Sequence, residues 1–257
     1  MDSFFVKLQN RGLVHLEGND RHKFLQGLIT NDITKLKPGS ALYACLLTPQ
    51  GKFLHDFFIS EGDGFTLLEC EGGTRAQDLY ERLCKYRLRA DVQISVEQDV
   101  PVYAILSSLS SRPTPALSRG SGEISPDKMR SLAFARDDIV GYPDPRDPEM
   151  GFRSFTKPTD MNEKPFAEWD RRRIALGVPD GSRDMAVGQS TLDESNIEKW
   201  NGVSYDKGCY VGQELTARMK HRGLGKKHLQ TVRLNALPEN AELRSSCGDI
   251  GLALVKN

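Results

Sequence analysis

The chain has 257 residues, enough to bury a substantial core in two or three compact units. Lys plus Arg and Asp plus Glu both number 35, so no global field draws it to nucleic acid or to a membrane surface. No apolar run approaches the roughly 18 residues of a membrane-crossing helix. The five cysteines are scattered and lack a C-x-x-C pair, which argues against a disulfide framework and against a self-contained zinc or iron–sulfur site.

The opening Met1 to Lys7 has neither a signal-peptide core nor the Arg-rich, acid-poor character of a transit peptide, so a cytoplasmic protein is expected, with the mitochondrial matrix as the alternative. Leu13 to Glu17 reads as a strand, followed by a helix capped at Asn19 or Asp20 with Phe24, Leu25, Leu28 and Ile29 on its apolar side. Ala41 to Thr48 and Lys52 to Ser60 are strands joined by the tight turn Pro49-Gln50-Gly51, and Phe65 to Cys70 is a third. Thr74 caps a second helix carrying Leu79 and Leu83, and Val92, Ile94 and Val96 alternate as a strand. Two helices over an antiparallel sheet make an α+β layer.

Pro101 to Leu106 reads as a strand, Ser107 to Gly122 as a Ser/Pro/Gly-rich linker, and Leu132 to Arg136 as another strand. Pro165 opens a helix through Leu176 that stops at Gly177, with Pro179 beyond. A further helix is expected from about Gln213. Strand-like runs at Thr231 to Leu234 and Ile250 to Val255 close the chain. The expected organisation is an N-terminal lobe over 1–100, a second lobe over 101–228, and a short β segment over 229–257.

The stretch Lys207-Gly208-Cys209-Tyr210-Val211-Gly212-Gln213-Glu214 concentrates chemistry. Glycines flank a single cysteine just before a helix start, where backbone can approach a ligand and N–H groups favour an anion or thiolate. With Lys207 nearby, the thiol is expected to ionise readily and to react or ligate. This outweighs the alternative of a packed thiol in a turn. Glu214 and Arg218 are spaced i, i+4, which on spacing alone is an exposed helix pair. Residues 218 to 228 carry five Lys/Arg, two His and no acid. Such a stretch fits an acidic segment, a phosphate or RNA, or simply a solvated face. Arg171-Arg172-Arg173 spread around one helix, so at least one is expected to point inward. Asp56 stands in an apolar strand, either at a sheet end or lining a polar cavity, where it is a weak candidate base. The five His have no ligand spacing, and no metal site is assigned from them. Cys45, Cys70 and Cys84 read as buried small hydrophobes.

The Cys209 stretch with Arg218 resembles the signature of YgfZ-type folate-binding proteins, relatives of the glycine-cleavage T-protein that act in iron–sulfur cluster assembly or repair. Gly18-Asn19-Asp20, Phe24 to Gly27, Thr30-Asn31-Asp32, Thr48 to Lys52, Arg173 to Pro179 and Asn201-Gly202-Val203 agree with it, so the resemblance spans most of residues 10 to 235. It implies an aminomethyltransferase-like ring of two α+β lobes and a C-terminal β-barrel, here shortened because too little chain follows Arg218. Tetrahydrofolate is the implied ligand, with Arg173, Lys207, Gly208, Tyr210, Gly212, Gln213, Glu214, Arg218 and Asp56 as residues toward it. Cys209 becomes the functional thiol and one ligand of a cluster shared with a partner. The implied partners are an A-type iron–sulfur carrier and [4Fe–4S] client apoproteins, including tRNA-modifying enzymes. Two rival readings are a folate-dependent aminomethyl or methyl transferase using Asp56, and RNA binding through 218–228. Neutral net charge makes nucleic acid the weakest partner.

Overall fold

The computed structural model describes residues 3–107, 141–222 and 225–256. The expected linker beyond Ser107 and the expected strand at Leu132 to Arg136 lie outside them.

The architecture is α+β, as expected. One five-stranded sheet is built from β2 (Arg11–Glu17), β3 (Ala41–Leu47), β4 (Phe53–Glu61), β5 (Phe65–Glu71) and β6 (Gln93–Glu97), in the order β3-β4-β5-β2-β6. Period-two alternation gives it two buried faces. On β3, Tyr43, Cys45 and Leu47 enter one core, while Ala44 and Leu46 enter another. The second core is closed by α1 (Arg21–Gln26) and α2 (Thr74–Arg87), whose Ala76, Leu79 and Leu83 repeat at helical spacing. Cys45 and Cys70 are sealed in these cores as anticipated, whereas Cys84 is half-buried.

The first core belongs jointly to a second sheet, in the order β10-β1-β7-β9-β8. Its strands are β1 (Ser3–Leu8), β7 (Val102–Ser107), β8 (Gly141–Pro143), β9 (Phe152–Ser154) and β10 (Asn162–Glu163). Here the sequence reading needs correction. The opening residues form a strand that pairs with β7 along its whole length, from Ser3 opposite Ser107 to Leu8 opposite Val102. A boundary at residue 100 therefore cuts β1 from its partner. Phe4, Val6 and Leu8 face the shared core with the expected alternation.

Helix α3 (Phe166–Leu176) follows Pro165 and ends at Gly177, whose φ of +84° closes a left-handed cap. Helix α4 (Gln213–Arg222) begins where it was expected. The chain finishes in a three-stranded antiparallel sheet, β11 (Lys227–Arg233), β13 (Ile250–Lys256) and β12 (Glu242–Cys247), with β13 central. The strand β12, with the polar sequence Glu-Leu-Arg-Ser-Ser-Cys, has no apolar alternation by which it could have been foreseen.

Candidate functional site

Segments far apart in sequence assemble into one platform. Thr30 and Asn31 follow α1, and their side chains bind the loop before the cysteine stretch. Thr30 Oγ1 donates to Gly202 O at 2.6 Å and Asn31 Nδ2 donates to Asn201 O at 2.8 Å. Asn31 Nδ2 also donates to Tyr43 O on β3, and Ser204 N donates to Thr30 O, so loop and sheet are tied together. Asp32 caps the single turn Ile33–Lys35 through Thr34 N.

On this platform lies the cysteine stretch. Lys207 is buried, and its ammonium donates to three carbonyls, Gln26 O (2.7 Å), Ile29 O (2.7 Å) and Asn31 O (2.8 Å). Burial pulls its pKa down to about 8, with the Asp32 carboxylate opposing. The ammonium also sits 5.0 Å from the centre of the Tyr210 ring. Tyr210 is itself buried, and Val211 N donates to Gly27 O at the end of α1. Between these anchors Gly208 and Cys209 are exposed. The pattern is two fixed flanks and a free tip that presents a thiol to solvent.

Several residues assigned by sequence take other parts. Lys207 anchors the tip through carbonyls, which engage all three of its N–H bonds, so it is a structural clamp. The helix α4 starts four residues after Cys209, so the thiol is not in its first turn. Gln213 instead accepts from Tyr210 N through Oε1 at 3.3 Å and shapes the bend between them. Gly208 has open space around its α-carbon, but Gly212 does not. At Gly212, with φ +82°, a Cβ would lie 2.5 Å from Thr48 O and 2.9 Å from Leu47 Cβ. A Cβ on Gly51 would meet Leu215 Cβ at 2.6 Å. The close approach is therefore between the β3–β4 turn and the start of α4, not with a ligand. Glu214 and Arg218 form an exposed ion pair with each other, the modest outcome that their spacing favoured.

Arg173, expected near folate, is fully buried. Its guanidinium is held by Asp170 Oδ1 and Asp184 Oδ2, both at 2.6 Å, and by Ser245 Oγ at 2.9 Å. It fastens α3 to β12 of the third sheet. Arg171 reaches Asp249 at the surface, and Arg172 reaches Ser107 O, so one of the three arginines points inward as the helix geometry required.

Asp56 is half-buried on the face of β4 that looks toward the second sheet, and Tyr43 Oη donates to its Oδ2 at 2.9 Å. Burial pushes its carboxyl pKa up, with Arg11 opposing. Beside it lies a buried charge cluster that the sequence reading missed. Glu69 accepts from Arg11 Nε at 2.8 Å, from Arg153 Nε at 2.9 Å and from the Tyr142 hydroxyl. Arg153 and Arg146 share Asp144 and lie 4.1 and 4.7 Å from the centre of the Phe58 ring. Burial alone would raise the Glu69 carboxyl, but Arg153 and Arg11 outweigh it and hold it at about 2. The available signal was a glutamate inside the apolar run Thr66-Leu67-Leu68, followed by Cys70.

A cavity of about 650 Å³, within the size range of small-molecule pockets, opens along Lys7 to Arg11, Asp99 to Pro101 and Glu163 to Phe166. None of the residues assigned to tetrahydrofolate lines it. Arg173 is held by two carboxylates and a hydroxyl, Lys207 by three carbonyls, Arg218 is exposed beside Glu214, and Asp56 is bonded to Tyr43 next to the interlobe cluster. As a set they do not fit one folate cradle. Among the described residues no group of three or more His, Cys, Asp or Glu is arranged to hold a metal ion.

No protein-family model matches the chain. Among curated proteins, the human iron–sulfur cluster assembly factor IBA57, mitochondrial, is 32% identical over 97% of this chain and 76% of its own length. The chain belongs to the IBA57 family of iron–sulfur cluster assembly factors. The mouse member is 30% identical over 98% of this chain and 77% of its own. The Neurospora crassa homologue is 33% identical over 87% of this chain but only 52% of its own. All three IBA57 proteins are named mitochondrial, so the cytoplasmic expectation finds no support among them. The fold of this family member is that of the glycine cleavage system aminomethyltransferase T from Bartonella henselae. The two superpose with a TM-score of 0.71 over 99% of this chain and 78% of the other, at 15% sequence identity.

Proposed function

We propose that the protein is an accessory factor for assembling or repairing iron–sulfur proteins, and that Cys209 supplies one thiolate to a cluster held jointly with a partner. The observation that carries this reading is the exposed thiol between two buried anchors. A structural cysteine gains nothing from exposure, whereas a transient ligand must be reachable and held still. The cluster is cargo. The thiol gives its proton to solvent as sulfur binds iron, and the remaining ligands come from outside the chain.

The partners in this reading are an A-type iron–sulfur carrier and [4Fe–4S] client apoproteins, tRNA-modifying enzymes among them. The mitochondrial matrix is the compartment that the names of the relatives favour, and kinship with YgfZ-type proteins rests on the shared signature. Tetrahydrofolate has weaker support, since the residues assigned to it do not converge, and no step of this role runs through it. The test is anaerobic mixing with a cluster-loaded A-type carrier. A new visible absorption band that is lost in Cys209→Ser is the expected result, and a band unchanged in that variant would remove the thiol from the role.

One observation favours a second reading, aminomethyl or methyl transfer. Asp56 is desolvated, hydrogen-bonded to Tyr43 and turned toward the interlobe space, as a general acid or base needs to be. Turnover of an aminomethyl substrate with tetrahydrofolate, abolished by Asp56→Asn, would promote it over the first.

A further inference from the structure

Four cations flank the passage from α4 to the third sheet. Arg222 is the last residue of α4, Lys226 and Lys227 lead into β11, and β13 sets Lys256 directly opposite Lys227. All four side chains are exposed, and none has an ion-pair partner among the described residues. Neighbouring cations are paired by contrast: Arg218 with Glu214, Lys220 with Glu198, and Arg233 with Asp249. Like charges directly opposite each other on adjacent strands repel and weaken a sheet. In a chain with 35 charges of each sign this corner is a local excess of positive charge, the adjacent Asp193 being paired with His228.

Helix α4 runs from just after the cysteine tip to Arg222. Helix α4 is ten residues long, so its ends are about 15 Å apart, and Cys209 precedes its start by four residues. A standard protein interface, roughly 800 Å² per partner, is about 30 Å across, twice the length of that helix. A single-stranded nucleic acid would want aromatic side chains to stack on. Among the described residues the exposed large apolar side chains are Tyr86, Leu88, Val187, Leu237 and Leu243, none of them on α4, β11 or β13.

We infer that the cationic corner Arg222, Lys226, Lys227 and Lys256 is a docking surface for an acidic protein that carries the iron–sulfur cluster to Cys209. This rests on the reading of Cys209 as a cluster ligand. The division of labour is between steering and capture. The corner raises the encounter rate through a field that salt screens within about 10 Å at 0.1 M, and the thiol acts only after contact.

The test measures association of the full chain with a cluster-loaded A-type carrier under anaerobic conditions by stopped flow. Wild type is compared with the triple variant Lys226→Glu, Lys227→Glu, Lys256→Glu, with its Gln counterpart and with Cys209→Ser. At low salt, about 25 mM, the Glu variant associates at least tenfold more slowly and the Gln variant falls between, and the rates converge near 300 mM. At saturation both charge variants give the wild-type visible spectrum, and thermal unfolding shows both folded. Cys209→Ser associates at the wild-type rate without the band. A wild-type rate for the Glu variant at low salt overturns the docking surface while leaving the thiol's role intact. Charge-dependent association with an unchanged band in Cys209→Ser supports the surface and removes the thiol. Tighter, equally charge-dependent binding of bulk tRNA than of the carrier would also overturn the proposal and assign the corner to RNA.

Discussion

Cys209 and Lys207 are two residues apart and do opposite jobs. The cysteine is exposed, and the lysine beneath it is a three-point clamp on the carbonyls that end α1. Deleting the clamp should therefore cost more stability than deleting the thiol. Lys207→Met leaves three carbonyls without their donor and is expected to destabilise the protein by about 2–3 kcal/mol in urea denaturation, since hydrogen bonds from a charged donor are worth about 1.5–3 kcal/mol. Cys209→Ser should lie within about 0.5 kcal/mol of wild type, as exposed substitutions do. Equal losses in the two variants would mean that the tip is not built this way. The sequence singled out Cys209 because glycine, cysteine and a helix start rarely coincide in a packed core, and the structure leaves that side chain exposed. It misread Lys207, since nothing in the local pattern reveals that the end of a helix more than 170 residues earlier supplies the carbonyls.

At the scale of elements, the thiol depends on how the β3–β4 turn meets the start of α4. Gly51 and Gly212 face each other so closely that neither tolerates a Cβ. Gly212→Ala should cost about 2–4 kcal/mol, combining a positive φ with a clash against Thr48 O. Gly208→Ala, with nothing within 4 Å, should be close to neutral. Thermal unfolding of the two variants side by side checks this, and comparable shifts would contradict the packing described. Helices with clear punctuation were legible: α3 begins after Pro165 and ends at Gly177 because those residues allow little else there. The strand β1 was not foreseen, although Phe4, Val6 and Leu8 alternate correctly, because its partner β7 lies nearly a hundred residues on. The polar edge strand β12 has no periodic signal at all.

The whole molecule is held by buried charge at two junctions. Glu69 on β5 binds Arg153 and Tyr142 from the other sheet, and Arg173 on α3 binds Asp184 and Ser245, reaching the third sheet. Arg173→Leu strands Asp184 without its cation, while Asp170 keeps Arg183, and should lose about 3–5 kcal/mol in urea denaturation, the usual outcome of breaking one side of a buried pair. The first junction also dictates acid sensitivity. Glu69 has a folded pKa of about 2 against an ordinary 4.5, so its contribution is complete above 4.5 and is lost as pH falls toward 2. Burial, with Arg75 alongside, lowers His55 to about 4 from 6.5, so the unfolded chain takes that proton first and stability already declines between pH 6.5 and 4. For these two groups the signs agree, against the raised carboxyls of Asp56 and Asp184, and Tm should fall from pH 7 to 3; a flat profile above pH 4 would contradict the His55 contribution. Such junctions escape sequence reading because a buried arginine and a solvated one look identical until the sheets are paired.

The most direct test of the central claim is made in cells. With the gene deleted, activity of an aconitase-like [4Fe–4S] enzyme is measured after complementation with wild type or Cys209→Ser, both confirmed to accumulate as folded protein. The account predicts rescue by wild type and none by the serine variant; full rescue by serine would contradict it.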